Sequence, residues 1–332
     1  MSVKLFNPDY LLSLCRNYNL QPSSHYGQNF LIHPVKSRGA GIPTESGLFN
    51  GVNPEPLDKM LEAAELSPND TVVEVGPGFG VLTFALAAKA KKVLAFEIEK
   101  KIAGYWQTHK PENVEVIWGN ILKEFGVWDL PTRTTDVVQS GGGLGVYKVV
   151  ANLPYQITSP VIRFFLEAEN PPELMVLMVQ KEVAERICAK AGDMSVLAVA
   201  VQYYAEAEII TQVPRSYFWP VPRVDSAVIR LTIHPVKCSD QVGTPPEAGF
   251  NGVNKEQDKN WFFRVVKMGF ANRRKMLIKN LESIVGKKNR SKLEQIFTEL
   301  NLNPKVRAQE LSVEDWRVLT ERIEKLENPK PQ

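Results

Sequence analysis

Between Leu57 and about Ile233 the chain alternates short β-branched runs with longer stretches of helical periodicity. That βαβα alternation constrains the fold more than any other feature, because parallel strands need crossover helices between them. Residues 71–75, 93–98, 114–118, 146–151 and 174–180 predict successive strands. Residues 57–65, 80–88, 100–109, 158–169 and 181–191 predict the intervening helices, 196–204 a further helix and 224–233 a late strand. The predicted class is α/β, a Rossmann-like doubly wound and mostly parallel sheet followed by a small helical C-terminal domain. Amphipathic helices are expected at 292–300 and 313–326.

Composition shifts mark the domain plan. Residues 1–236 are expected to form the sheet domain, 237–258 a linker and 259–332 a basic helical domain. Three stretches, 37–56, 132–144 and 238–258, are rich in Gly, Pro, Ser, Thr or Asp, lack apolar periodicity and read as loop insertions. The first and third share Phe-Asn-Gly-Val-Asn, at 49–53 and 250–254, which suggests one small element inserted twice in solvent loops.

The formal net charge of +3 hides an uneven distribution. From Trp261 to Lys292 there are ten Lys/Arg and a single acid, Glu282, so the remainder of the chain is net negative. Such a localised cationic surface suits a polyanion, although a charge run is often only a solvated face. No run of apolar residues is long enough for a membrane span and no charged leader precedes an apolar segment, so a cytoplasmic protein with no membrane partner is expected. Cys15, Cys188 and Cys238 are far apart and in no metal-ligand or redox spacing; neither a disulfide nor a bound metal is expected.

Val73-Glu74-Val75-Gly76-Pro77-Gly78-Phe79-Gly80 puts three glycines between a predicted strand and a predicted helix. Gly76, Gly78 and Gly80 permit a tight turn and close approach of a ligand. Dinucleotide enzymes use related loops, but Glu74 places a carboxylate where a pyrophosphate should lie, which favours a cofactor carrying an ammonium group. Glu97 ends the next strand, where it can accept hydrogen bonds from both ribose hydroxyls. Asn120 follows the third strand, where its side-chain carbonyl can accept from an adenine amine or simply form a turn.

Asn152-Leu153-Pro154-Tyr155 closes the fourth predicted strand. The lone pair of an exocyclic base amine is delocalised into the ring, so the amine is a poor nucleophile. Two acceptors fixed beside it, the Asn152 side-chain oxygen and the Leu153 carbonyl, favour the tetrahedral nitrogen that can attack a methyl group. Pro154 restricts the backbone that aims the carbonyl. Tyr155 offers a ring for an extruded base, a stack of about 1–3 kcal/mol.

With these motifs in place, the chain resembles the bacterial small-subunit ribosomal RNA adenine dimethyltransferases, the KsgA family. The resemblance is carried by His25-Tyr26-Gly27-Gln28-Asn29-Phe30-Leu31, the glycine loop, Asn152–Tyr155, Gln180–Arg186, Phe218–Val228 and Phe270-Ala271-Asn272-Arg273-Arg274-Lys275, the last read as helical. It implies S-adenosylmethionine as cofactor, held by Asn29, Leu31, Gly76, Gly78, Glu97, Asn120 and Asn152. It further implies that Phe218 faces Tyr155 across the target adenine and that Arg273, Arg274 and Lys275 bind RNA. The implied reaction is direct transfer of methyl groups to N6 of two adjacent adenosines in the 3′-terminal hairpin loop of 16S rRNA. The implied substrate is the 30S subunit or its precursor, and the implied enzyme is a monomer. The family usually has Asp where this chain has Asn120, and Gln156 is a modest departure after the tyrosine. Related enzymes of large-subunit RNA share the cofactor and target motifs, but Phe218–Val228 and Phe270–Lys275 favour the small-subunit reaction. A pure assembly factor with a vestigial site would not need Gly76, Gly78, Glu97, Asn152 and Tyr155 together.

Overall fold

In the computed structural model, which describes residues 2–22, 28–32, 55–124, 146–234 and 255–327, the apolar runs assemble into one seven-stranded sheet. In chain order the strands are β1 Phe30–Leu31, β2 Thr71–Val75, β3 Lys92–Glu97, β4 Val114–Trp118, β5 Tyr147–Asn152, β6 Leu174–Gln180, β7 Ala205–Val213, β8 Phe218–Trp219 and β9 Ser226–Ile233. The large sheet has the order β4-β3-β2-β5-β6-β9-β7. From β4 to β6 every pairing is parallel, and β9 joins β6 antiparallel. The chain steps outward in one direction from β2 to β4 and in the other from β5 to β6. The reversal between β2 and β5 opens a crevice at their carboxyl ends, where ligands bind in such sheets.

Five of the predicted strands lie within one residue of the observed bounds, and the late strand starts at Ser226 rather than 224. β6 shows why: all its residues but Gln180 are buried, as helices covering both faces of the sheet require. β7 escaped prediction. It forms the sheet edge, and much of its length is exposed, so Glu206 and Glu208 dilute the apolar signal. At the opposite end of the strands from the crevice, the buried Lys148 of β5 donates to the Glu65 carbonyl at 2.8 Å and pairs with Asp70 at 3.1 Å. A cation so placed destabilises the fold unless it is both paired and hydrogen bonded.

A second sheet has two strands, β1 and β8, antiparallel with Phe30 opposite Trp219 and Leu31 opposite Phe218. The Ile32 N–H extends the ladder to the Tyr217 carbonyl at 2.7 Å.

The chain divides into two compact units, Met1–Ala184 with Glu206–Ile233, and Glu185–Ala205 with His234–Gln332. A single cut at 236 is therefore not what the packing makes. Ala198 and Val199 of helix Val196–Gln202 share a core with Val265, Leu281, Phe297 and Trp316 of the C-terminal helices, which draws 185–205 into the second unit. That unit contains helices Lys255–Gly269, Leu277–Val285, Arg290–Glu299 and Val313–Glu327. Gly269 is required there, since a Cβ at this position would lie 2.3 Å from the Trp316 ring. Of the three expected insertions, 37–54, 132–144 and 238–254 with both Phe-Asn-Gly-Val-Asn copies lie outside the described residues, while 55–56 and 255–258 begin helices.

Phe270–Lys275 is a turn between two helices, not a helix. The buried Asn280 side chain donates to the Gly269 and Asn272 carbonyls at 2.6 and 3.0 Å, and these bonds fix the reversal.

Candidate active site

The crevice is lined by the glycine loop, the ends of β3 and β5, the residue after β4, and the segment entering β1. Gly76, Gly78 and Gly80 all have positive φ, at 72°, 55° and 92°, a region in which a side chain is strained. Space is as restrictive as torsion. A Cβ on Gly78 would sit 3.0 Å from the Phe30 ring, and one on Gly80 would sit 2.7 Å from Phe84 and 2.9 Å from Trp106.

Glu97, at the end of β3, is buried and its carboxylate spans two backbone amides. Oε2 accepts from the Gly78 N–H at 3.0 Å and Oε1 from the Glu99 N–H at 2.8 Å. Burial raises its proton affinity, and the amides of Glu99, Gly78 and Ile98 oppose that rise. Glu74 lies beneath the same loop. It is 1% exposed, and neither its Oε2 nor the Thr83 Oγ1 has a hydrogen-bond partner among the described residues. Burial, with the charge of Glu97 adding to it, pushes the Glu74 carboxyl up to about 8.

Asn29 and Leu31 both line the crevice, and so do Gly76, Gly78, Glu97, Asn120 and Asn152. The structure therefore gathers every residue expected at the cofactor. The Asn120 Oδ1 is partly occupied as a cap, accepting from the Leu122 N–H at 3.0 Å. Among the described lining residues there is no Lys, Arg or His, whereas there are two carboxylates, Glu74 and Glu97.

The Asn152 Nδ2 donates to the Asn29 carbonyl at 3.3 Å, which orients the amide and leaves Oδ1 as its accepting atom. The Leu153 side chain is buried, and its N–H donates to the Met178 carbonyl at 3.1 Å. Pro154, with φ −54° and ψ 128°, turns the chain into a single 3-10 turn at Tyr155–Ile157. Tyr155 is half-buried, and its hydroxyl is 2.7 Å from the Ser226 Oγ, so the ring is tethered at its far end.

Phe218 pairs with Leu31 and is 1% exposed in the core, and neither it nor Tyr155 is among the residues that line the crevice. Its neighbour Trp219 instead stacks on Phe30, with centroids 6.3 Å apart and planes 21° apart.

Helix Ala103–His109 adds what sequence reading missed. The Trp106 Nε1–H donates to the Gly78 carbonyl and the Tyr105 hydroxyl to the Phe79 carbonyl, both at 2.9 Å. Adjacent aromatics in a helix read as core, and no spacing distinguishes these two.

In the C-terminal unit Arg273, Arg274 and Lys275 are all exposed and form no ion pair among the described residues. The lone acid of this region is masked, because Arg290 pairs with Glu282 and, at 2.9 Å, with Glu294.

Comparison with known proteins places these features in context. The model of the family described as ribosomal RNA adenine dimethylase matches residues 51–245. Ribosomal RNA small subunit methyltransferase A of Dehalococcoides mccartyi is 37% identical over 308 residues, covering 92% of this chain and 90% of that protein. The protein of the same name from Bacillus licheniformis is 39% identical over 275 residues, covering 80% of this chain and 86% of the other. Among solved structures, a dimethyladenosine transferase from Plasmodium falciparum aligns with TM-score 0.61 at 24% identity, over 83% of this chain and 97% of that one. The 23S rRNA methyltransferase ErmE aligns with TM-score 0.58 at 25% identity, over 82% of this chain and 98% of its own.

Proposed function

This chain belongs to the ribosomal RNA adenine dimethylase family, and from that premise we propose that it dimethylates N6 of two adjacent adenosines in the 3′-terminal hairpin loop of 16S rRNA. The higher identity to small-subunit enzymes than to ErmE favours the small-subunit target. The substrate is the 30S particle or its precursor, and the enzyme acts as a cytoplasmic monomer. Among the described residues no helix is long and apolar enough to cross a membrane.

The observation that carries the cofactor assignment is the lining of the crevice. Two carboxyls with no Lys, Arg or His among the described lining residues, one with an unpartnered buried oxygen, fit a cationic nucleoside better than a diphosphate. Glu74 would hold the ammonium group, Glu97 the ribose hydroxyls and Asn120 the adenine, with Asn29 and Leu31 closing the crevice. When bound, S-adenosylmethionine supplies a methyl group on a sulfonium, which needs no metal and no covalent enzyme intermediate.

The remaining chemistry belongs to the chain. The Asn152 Oδ1 and the Leu153 carbonyl accept the N6 protons and favour a tetrahedral nitrogen, an interaction that strengthens toward the transition state. The Asn29 carbonyl holds the Asn152 amide in the orientation this requires. Tyr155, tethered on Ser226, stacks the flipped base by its face, so adenosine and N6-methyladenosine are both admitted. A second wall from Phe218 would require its ring to leave the core. Arg273, Arg274 and Lys275 engage phosphates.

The experiment is methyl transfer from tritiated S-adenosylmethionine to undermethylated small subunits, with mono- and dimethyl nucleosides counted by mass spectrometry. Dimethyladenosine is the expected product. A product that stops at monomethyl overturns the assignment.

A further inference from the structure

We infer that Trp106 is a positioning residue for the cofactor, acting through the Gly78 peptides on Glu97; the inference rests on the reading of Glu97 as the ribose acceptor. Gly78 is gripped on both sides. Its N–H donates to the Glu97 Oε2 at 3.0 Å, and its carbonyl accepts from the Trp106 Nε1–H at 2.9 Å. A glycine at φ 55° has little intrinsic preference for one orientation of its flanking peptides, so these two bonds set it.

The indole is well placed to do so. It is 1% exposed, lies flush against Gly80, stacks on Phe84 with centroids 5.9 Å apart, and meets Tyr105 edge to face. Freed from the indole, the Gly78 carbonyl lets the loop turn, and the amide that fixes the plane of the Glu97 carboxylate moves with it. Tyr105 grips the next carbonyl, that of Phe79, which has no such link to Glu97, and so provides an internal control.

The test is a chemical double-mutant cycle on the full-length protein. Dissociation constants are measured by calorimetry for S-adenosylhomocysteine and its 2′-deoxyribose analogue, with wild type, Trp106→Phe and Tyr105→Phe. Trp106→Phe keeps an aromatic ring and loses the donor. It is expected to weaken S-adenosylhomocysteine roughly three- to tenfold, as loss of one neutral hydrogen bond does, and to narrow the preference for the parent over the deoxy analogue. Saturated turnover and the KM for small subunits should stay near wild type, whereas general loosening of the fold would lower both. Tyr105→Phe should leave the deoxy preference unchanged. If Trp106→Phe does not fold, benzothienylalanine at position 106 removes the N–H and preserves the shape. Wild type that binds both ligands equally overturns the ribose assignment beneath the inference. A wild-type preference retained in full by the Trp106 variant overturns the inference alone.

Discussion

Glu74→Gln should make the protein more stable and less able to bind its cofactor, and the two effects should separate with pH. The carboxyl goes from an ordinary value of 4.5 when unfolded to about 8 when buried under the glycine loop. Its folded value is the higher one, so the proton is held more tightly in the native state. The stabilisation is therefore complete below pH 4.5 and is lost as pH rises toward 8. Over that window one proton is released on unfolding, a slope of about 1.4 kcal/mol per pH unit, or about 3 kcal/mol between pH 4.5 and 7. Glutamine has the same shape, does not titrate, and can donate its amide to the Thr83 hydroxyl. The stability difference between variant and wild type should grow by up to that 3 kcal/mol from pH 4.5 to 7. Urea unfolding of both proteins without cofactor, at intervals from pH 4.5 to 8, measures it. Two parallel curves would refute the reasoning. The same carboxyl must ionise to meet an ammonium group, so wild type should release a proton on binding S-adenosylmethionine at pH 7. Calorimetry in buffers of different ionisation heat counts that proton, and the glutamine variant should release none from this site.

Other expectations follow from the geometry. Glu97→Ala removes a charged acceptor from the crevice, and calorimetric titration should show S-adenosylmethionine weakened by about 1.5–3 kcal/mol per lost charged hydrogen bond at most. Asn152→Ala should lower the single-turnover methylation rate roughly 10- to 100-fold while small-subunit affinity stays within about twofold, because its hydrogen bond strengthens in the transition state. Changing Arg273, Arg274 and Lys275 to Gln should flatten the log–log salt dependence of subunit binding by about 2–3, with cofactor affinity unchanged. Gly269→Ala forces a methyl into the Trp316 ring and should destabilise the C-terminal unit by about 1–3 kcal/mol in urea unfolding.

Much of this molecule can be read from its residues, and the failures have physical causes. β2 and β6 carry β-branched or long apolar residues almost without interruption, because both faces of the sheet are covered, and such runs announce themselves. The glycine loop and Asn152–Tyr155 are legible because each depends on a residue type no other can replace at that spot. β7 is hidden because an edge strand with exposed glutamates looks like a loop. The Phe270–Lys275 turn is hidden because Ala, Arg and Lys favour helices, while the residue that turns the chain, Asn280, lies ten positions past Phe270 in the next helix. The role of Phe218 comes from the resemblance alone, and its burial follows from a strand pairing with residue 31 that no local pattern encodes. Trp106 and Tyr105 point at backbone carbonyls, and a carbonyl leaves no trace in sequence.

The short ladder between β1 and β8 bears on how the enzyme is made. It joins residue 30 to residue 219, and the Asn29 carbonyl reaches Asn152, so the roof of the crevice is drawn from widely separated parts of the chain. At roughly 5–20 residues per second, a ribosome emits the glycine loop many seconds before the segment that pins β1 above it. During synthesis the early strands can collapse, yet the site lacks its roof and has no hold on a ligand. Maturation of the crevice is thus deferred until most of the sheet unit has left the exit tunnel. An enzyme of ribosome biogenesis built this way becomes competent only after the segment around residue 219 has emerged.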